Sequence, residues 1–154
     1  MLRATPIDDI HAGLIEALKA FRTLVASLPT AAPGQGRVTA EQLTLLVHLR
    51  DRDPVTMGEV AASRGIALNT ASALVERLVA QGLVERRADG ADRRIVRVTL
   101  TGQGTAFLRA VMAIRRQRLR ALLDTLPAAE LEALSAATPV IVKLAEQARV
   151  RAQQ

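Results

Sequence analysis

Residues 56–100 have the sequence TMGEVAASRGIALNTASALVERLVAQGLVERRADGADRRIVRVTL, in which the spacing of apolar residues changes from a helical to a strand period. Thr56, with Glu59 three positions later, forms a capping-box pattern that predicts the start of a short helix. Gly65 ends that helix, and a longer one is predicted over about 68–81. A short helix, a tight glycine turn and a longer helix are typical of a helix-turn-helix.

The segment after the longer helix alternates apolar and polar residues and therefore predicts two β-strands. The alternation covers residues 83–87 and 95–100. Between them, Asp89-Gly90 is a strong signal for a hairpin turn. A hairpin that follows a helix-turn-helix is called a wing. Residues 39–100 are therefore predicted to form a winged helix-turn-helix core that binds DNA.

The longer helix, called the recognition helix below, separates into two faces at about 100° per residue. The inward face is predicted to hold Ala71, Leu74, Val75, Leu78 and Val79. Small outward side chains let a helix enter a major groove, where an amide pairs with adenine and a hydroxyl with several bases. Asn69 and Ser72 are therefore predicted to contact bases, and Thr70 a phosphate. The alternative is an ordinary surface helix whose short polar residues only satisfy its first turn.

The hairpin is rich in arginine. Residues 84–97 contain five arginines and three acidic residues, a local balance of 5 − 3 = +2. Arg93 and Arg94 directly follow the predicted tip, and a tip of this kind can enter a minor groove, whose negative potential attracts guanidinium groups. Asp92 is predicted to pair with a neighbouring arginine and orient it. These cations favour DNA over the alternative, a winged helix that serves only as a protein–protein interaction module.

Helices are predicted on both sides of this core. Apolar residues recur at intervals of three and four over residues 7–28, which predicts one long amphipathic helix. The pattern of residues 39–42 is a second capping box. A long helix is predicted over 102–126 and a last one over 127–149, with Pro139 expected to kink or divide it. The arginines at 115, 116, 118 and 120 favour a solvated face or interface salt bridges over a second DNA site.

Composition excludes several other classes of protein. The 154 residues suit a single domain, residues 1–154, and their net charge of +6 suits a polyanionic partner. The chain has no cysteine, which excludes disulfides, thiolate zinc sites and thiol redox sensors. It has no recognisable catalytic motif and no apolar run of membrane-spanning length. We therefore expect a cytoplasmic, non-enzymatic protein without metal or cofactor, and no membrane partner.

The run GIALNTASALVERLVAQGLVERRADGADRRIVRVTLTGQG, residues 65–104, resembles the recognition helix and wing of the MarR family of transcriptional regulators. The Asp-x-Arg wing signature of that family falls on Asp92 and Arg94. Its Leu-Thr junction, followed closely by glycine, falls on Leu100-Thr101 and Gly104. The helix pattern Leu-Val-x-Arg-Leu falls on residues 74–78, and the order of elements matches over nearly the whole chain.

This resemblance implies a mainly α fold with a small β-wing and a homodimer. Residues 8–28 and 102–149 would form a helical dimerisation region around the winged helix core. The implied function is a ligand-responsive repressor of transcription that binds an inverted-repeat operator in double-stranded DNA. The resemblance also assigns Arg94 to the minor groove and Asp92 to holding the wing. The sequence departs from the family at Ala67, where a hydroxyl cap is common, and at Leu68 and Ala73, which are often polar or basic.

The predicted binding residues follow from both lines of reasoning. Those assigned to DNA are Thr39, Asn69, Thr70, Ser72, Ala73, Arg77, Arg86, Arg93, Arg94 and Arg97, with Asp92 as the residue that orients the wing. A small aromatic or anionic effector is predicted to contact His48, with Arg22 or His11 from the first helix. The alternative for His48 is an ordinary surface or core histidine.

Overall fold

The computed structural model describes residues 6–89 and 95–151, which form six helices and three short strands. In chain order the elements are α1 (Pro6–Ser27), α2 (Ala40–Asp51), β1 (Val55–Thr56), α3 (Met57–Arg64), α4 (Leu68–Ala80), β2 (Val84–Ala88), β3 (Val96–Leu100), α5 (Gly102–Leu123) and α6 (Ala128–Arg151). The fold is mainly helical with a small antiparallel sheet, which confirms the predicted class. The recognition helix is α4, and β2 and β3 are the strands of the wing.

Two of the helices begin at capping boxes, and both boxes were predicted. The Thr39 hydroxyl oxygen accepts from the backbone N–H of Gln42 (3.1 Å), while the Gln42 side chain accepts from the Thr39 N–H (2.8 Å). Thr56 and Glu59 make the same pair of bonds at α3, at 3.2 and 2.7 Å. The backbone and hydroxyl of Thr56 both donate to Glu59, and these bonds lower the pKa of its carboxyl group.

The strand β3 lies in the middle of a three-stranded antiparallel sheet with the order β1-β3-β2. Val98 of β3 lies opposite Val55 of β1 on one side and Arg86 of β2 on the other. The sequence did not predict β1, because this strand has only two residues and is defined by its pairing with β3, more than 40 positions away.

The winged helix region has a core of aliphatic side chains and one phenylalanine. Its largest fully buried side chains are Phe107, Leu45, Leu46, Leu49, Leu78, Val60, Val75, Val84, Val98 and Val111. They come from α2, α3, α4, the sheet and the first half of α5, so these elements pack around one centre. Val79 was predicted to face this core, but it is exposed, because it lies at the edge of the apolar face near the end of α4.

The strand β3 meets α5 at a closely packed junction. The Thr101 hydroxyl donates to the Gly82 carbonyl oxygen (2.6 Å) and accepts from the Gly104 backbone N–H (2.9 Å). A Cβ atom at Gly104 would lie 1.8 Å from the Leu83 carbonyl oxygen, so only glycine fits there. The Thr-x-x-Gly pattern seen in the sequence is therefore explained by one hydroxyl and one close backbone approach.

The apolar side chains of α1 are exposed in the single chain. Ile7, Ile10, Leu18 and Phe21 are between 56% and 75% exposed, although their spacing is regular. The C-terminal end of α1 is held by Arg115 of α5, which donates to the carbonyl oxygens of residues 25 (3.2 Å) and 29 (3.4 Å). A cation is favourable at the negative end of a helix. Burial lowers the pKa of Arg115.

The chain divides into two compact units, one ending at Arg115 and the other starting at Arg116. In the second unit, α6 continues through Pro139 without a break, so Pro139 does not divide this helix. The proline removes only the hydrogen bond to the residue 135 carbonyl, and the turns on either side keep theirs. Several apolar side chains of α6 are exposed, including Val140, Ile141 and Leu144. Within residues 6–89 and 95–151, no helix has the length and apolar character needed to span a membrane.

Candidate DNA-binding surface

The turn between α3 and α4 sets the direction of the recognition helix. Gly65 ends α3 with φ 60°, in the left-handed region that a glycine adopts at little cost. The N–H of the next residue, Ile66, then bonds back to the Ala61 carbonyl oxygen (3.1 Å). Ala71, Val75 and Leu78 of α4 are fully buried and fix this helix against the core. The opposite face of α4 is consequently presented to solvent.

The first turn of α4 has no capping hydroxyl. Ala67 occupies the N-cap position and makes no side-chain hydrogen bond there, as its sequence predicts. The Asn69 side-chain oxygen instead accepts from the Thr70 N–H (2.8 Å). In this structure, therefore, the amide oxygen of Asn69 supports the first turn of the helix.

The predicted contact residues of α4 lie on one surface. Asn69, Thr70, Ala73 and Arg77 are exposed, and Ser72 is half-buried. Glu76, which was not assigned a role from the sequence, is exposed on the same face and accepts from the Ser72 hydroxyl (3.3 Å). The face therefore combines small side chains with one cation and one carboxylate.

Arg86 of the wing reaches this face of the recognition helix. Its Nη2 atom donates to the Ser72 hydroxyl (3.2 Å) and the Ser72 carbonyl oxygen (3.3 Å), and lies 3.5 Å from Glu76 Oε1. These contacts hold β2 beside α4. They also place a cation beside Glu76, whose charge alone would repel the phosphates of a nucleic acid. The recognition helix and the described part of the wing thus form one continuous surface.

Farther along the wing, an ion pair joins its two strands. Arg97 Nε of β3 donates to Asp89 Oδ2, and the Asp89 backbone N–H donates to the Ile95 carbonyl oxygen (2.9 Å). Arg97 was predicted to contact DNA, and its guanidinium group is engaged by Asp89 in the free chain. Asp89 thus orients an arginine, a role that the sequence assigned to Asp92. The predicted residues Asp92, Arg93 and Arg94 lie outside the described residues.

Thr39 and the predicted effector residues lie elsewhere in the fold. The Thr39 hydroxyl oxygen caps α2, as described above, and its side chain is exposed. His11 and Arg22 are exposed on α1, and His48 is half-buried in the last turn of α2. A cavity of about 790 Å³ lies between the end of α1, residues 28–31, the start of α2 and Gln81. None of the three predicted effector residues is among those that line this cavity.

Sequence reasoning placed Glu76 on the outward face of the recognition helix but assigned no contact to it, and it assigned no ion pair to Asp89. Glu76 lies four positions after Ser72, a spacing that places both on one side of a helix, so the pattern contained a usable signal. Asp89 belongs to the turn dipeptide and was interpreted only as a turn former. Its ion pair with Arg97 depends on the register of the hairpin, in which Arg87 lies opposite Arg97.

Comparison with known proteins adds to this geometry. A family model described as MarR family matches residues 38–95. The chain is 35% identical over 94 residues to the transcriptional repressor NicR of Pseudomonas putida, an alignment that covers 61% of this chain and 60% of that protein.

Solved structures of regulators are also similar. The structure of MarR from E. coli in its apo form superposes with a TM-score of 0.68 at 25% identity, covering 90% of this chain and 98% of that one. BpsR of Bordetella bronchiseptica, whose DNA binding is regulated by 6-hydroxynicotinic acid, superposes with a TM-score of 0.58 at 26% identity, covering 86% of this chain and 98% of that one. The segment matched by the family model contains α4 and the start of the wing, which carry the arginine-bearing surface described above.

Proposed function

We propose that this chain is a winged helix-turn-helix transcription regulator of the MarR family, and that it is a repressor that binds an inverted-repeat operator as a homodimer. The observation on which this proposal rests most is the contact of Arg86 with Ser72 and Glu76. It joins the recognition helix and the wing into one surface, so both can face the same stretch of double helix. The protein would act on chromosomal DNA in the cytoplasm.

The recognition helix would enter the major groove. Its outward side chains near the first turn are small or short, which permits a close approach. The Asn69 amide nitrogen would donate to a base edge, and Thr70 and Arg77 would contact phosphates. Contacts to phosphates fix the orientation of a protein on DNA, whereas contacts to base edges supply the sequence preference.

The wing would contact the neighbouring minor groove. Arg93 and Arg94 come three and four positions after Gly90 of the turn dipeptide in the sequence, and Asp92 would hold one of them in place. A narrow minor groove concentrates negative potential and attracts guanidinium groups. The strands of the wing support this assignment, because Arg86 connects them to the recognition helix.

A second copy of the chain would cover the exposed apolar side chains of α1. An exposed row such as Ile10, Leu14, Leu18 and Phe21 is typical of an interface. Two-fold dimers are the commonest oligomers, and their symmetry matches that of an inverted repeat. Two recognition helices in such a dimer would lie about 34 Å apart and reach successive major grooves of one duplex.

A small effector would release the repressor from DNA. The similarity to BpsR suggests an aromatic acid of the size of hydroxynicotinate. His48, Arg22 and His11 are the proposed contacts for its carboxylate group. Such a ligand can change DNA affinity only if it binds one spacing of the two recognition helices better than the other.

The proposal is tested by selecting duplexes from fragmented genomic DNA and measuring their affinity at several salt concentrations. We expect a selected duplex whose log K falls with log salt at a slope of about 0.9 per phosphate contact. Arg94→Ala should weaken binding to all duplexes, whereas Asn69→Ala should change the preference among them. Lys19→Ala removes one cation from α1 and serves as the matched control. Equal binding of every duplex by wild type and both variants would contradict these roles.

The surface itself is tested by a double-mutant cycle. Arg86→Gln should weaken binding, because it removes a cation and leaves the Glu76 carboxylate unpaired beside the phosphates. Adding Glu76→Gln should recover part of the loss, since the repelling charge is gone. Additive effects of the two substitutions would mean that the contact seen in the free chain has no part in DNA binding.

A further inference from the structure

The recognition helix begins with a large apolar side chain that has little to pack against. Leu68 is the first residue of α4 and is 58% exposed. Three side chains of the same helix, Ala71, Val75 and Leu78, are fully buried, so Leu68 is not needed to fix α4 to the core. A single exposed leucine is common on protein surfaces. Its position becomes informative only when the neighbouring polar groups are considered.

Several polar groups near the start of α4 already have partners within the chain. The Asn69 oxygen accepts from the Thr70 backbone, and the Ser72 hydroxyl contacts both Glu76 and Arg86. Among the described residues in this part of the helix, Leu68 is therefore the large exposed side chain that makes no hydrogen bond. In helix-turn-helix proteins, residues near the start of the recognition helix are those that meet base edges.

We propose that Leu68 recognises the C5-methyl group of a thymine in each half-site of the operator. This inference rests on the proposed function and deepens it. Among the four base-pair arrangements, the thymine methyl is the apolar group that the major groove presents, and an aliphatic side chain is its natural contact. Ala73 lies five positions along the helix and is small enough to leave the groove open for this approach.

The surroundings of Leu68 favour DNA as its partner over an apolar protein surface. Ser72 lies one turn after Leu68 on α4, and Arg86 of the wing donates to its hydroxyl (3.2 Å). A cation one turn from a single leucine suits a polyanion whose base edges carry isolated methyl groups, whereas a protein interface at this place would have to desolvate that cation. The leucine is also continuous with Asn69, the residue proposed to contact a neighbouring base.

The test replaces each thymine of a selected duplex in turn by deoxyuridine, which removes only the methyl group. For wild type, one position in each half-site should lower the affinity about fourfold, the effect of burying one methyl group, and about 16-fold when both half-sites are changed. Leu68→Ala should bind the thymine and the uracil duplexes equally, because its side chain no longer reaches the methyl. Alanine is a good helix former, so this exposed substitution keeps α4 intact.

Two further variants control for indirect effects. Leu68→Met keeps a long apolar side chain and should retain the sensitivity to methyl removal. Val79→Ala removes an exposed apolar side chain at the other end of α4, about 16 Å along the helix axis, and should also retain it. A uracil effect that persists in Leu68→Ala would arise from DNA shape and would overturn the assignment.

The outcomes separate this inference from the proposed function. A wild-type protein that selects a duplex but tolerates deoxyuridine at every position would overturn the role of Leu68 and leave the regulator proposal standing. Failure to select any duplex would overturn the proposed function and the inference together. A methyl effect that disappears in Leu68→Ala alone would support both.

Discussion

The winged helix region and helix α1 have equally regular apolar patterns, but they differ in what covers those patterns. Leu45, Val75 and Val98 are completely buried, whereas Ile7 is 75% and Phe21 59% exposed. Periodicity therefore identifies a helix and its apolar face in both regions. It does not say whether the covering surface comes from the same chain. The winged helix region finds its partner elements within the chain, and α1 requires a second molecule under the proposed function.

The largest expected effect concerns the exposed apolar side chains of α1. Leu18→Gln should shift the homodimer towards monomer, because the change occurs twice in a two-fold interface. Burial of a leucine contributes about 1.5–3 kcal/mol, so two copies correspond to about 3–6 kcal/mol, more than a hundredfold in the dissociation constant. Sedimentation over a range of concentrations measures this shift. Glu16→Gln, on the polar side of α1, is the control. A wild-type chain that is monomeric at all concentrations would remove the basis for the dimer.

The next effect concerns the packing of the winged helix region. Gly104→Ala should destabilise the winged helix region by about 3 kcal/mol, because its Cβ would overlap the Leu83 carbonyl oxygen and force the backbone apart. Gly102→Ala, two positions earlier, meets nothing within 4 Å and should leave stability unchanged or slightly higher. Urea unfolding of both variants at one protein concentration makes the comparison. Equal midpoints for the two variants would show that the junction is looser than the structure indicates.

A smaller effect concerns the contact that joins α1 to α5. Arg115→Met should lower the free energy of unfolding by about 1–2 kcal/mol, since two carbonyl oxygens at the end of α1 lose a charged donor. Arg116→Met alters an exposed neighbour and should change the free energy of unfolding by less than about 0.5 kcal/mol. Thermal unfolding of the pair measures the difference. Identical melting curves would assign Arg115 to the solvated face considered in the sequence analysis.

The smallest effect is a pH dependence at the start of α3. The pKa of Glu59 is lowered in the folded chain by its bonds from Thr56, so the ionised form stabilises the fold above the ordinary carboxyl pKa. This contribution is fully present above the ordinary carboxyl pKa of about 4.3, and it is lost as the pH falls below that value and through the lowered pKa. Glu59→Gln should therefore flatten the loss of stability in that range, whereas Glu132→Gln on α6 should not. Superimposable stability profiles for Glu59→Gln and wild type would contradict this.

Much of the fold was predictable because its signals are local. The capping boxes at Thr39 and Thr56, the turn at Gly65 and the apolar period of α4 each depend on residues within one or two turns, and all were confirmed. The two-residue strand β1 was not predictable in this way, because it exists only through pairing with β3.

In the candidate site, features set by neighbouring residues were predictable, whereas contacts between distant residues were not. The outward face of α4 followed from a helical wheel. The position of Arg86 against Ser72 did not, because that contact spans 14 positions and depends on how the hairpin packs. Likewise, the pairing of Asp89 with Arg97 depends on strand register. The DNA and effector roles stay predictions until binding is measured.

The hydroxyl of Thr101 links Gly82, just past the recognition helix, to the first turn of α5. Because the single Thr101 oxygen both donates and accepts, it restricts the movement of the end of α4 relative to the start of α5. A rotation of α5 about its own axis would consequently also displace the end of α4. A molecule that turned α5 would thereby also move the C-terminal end of α4 without contacting it.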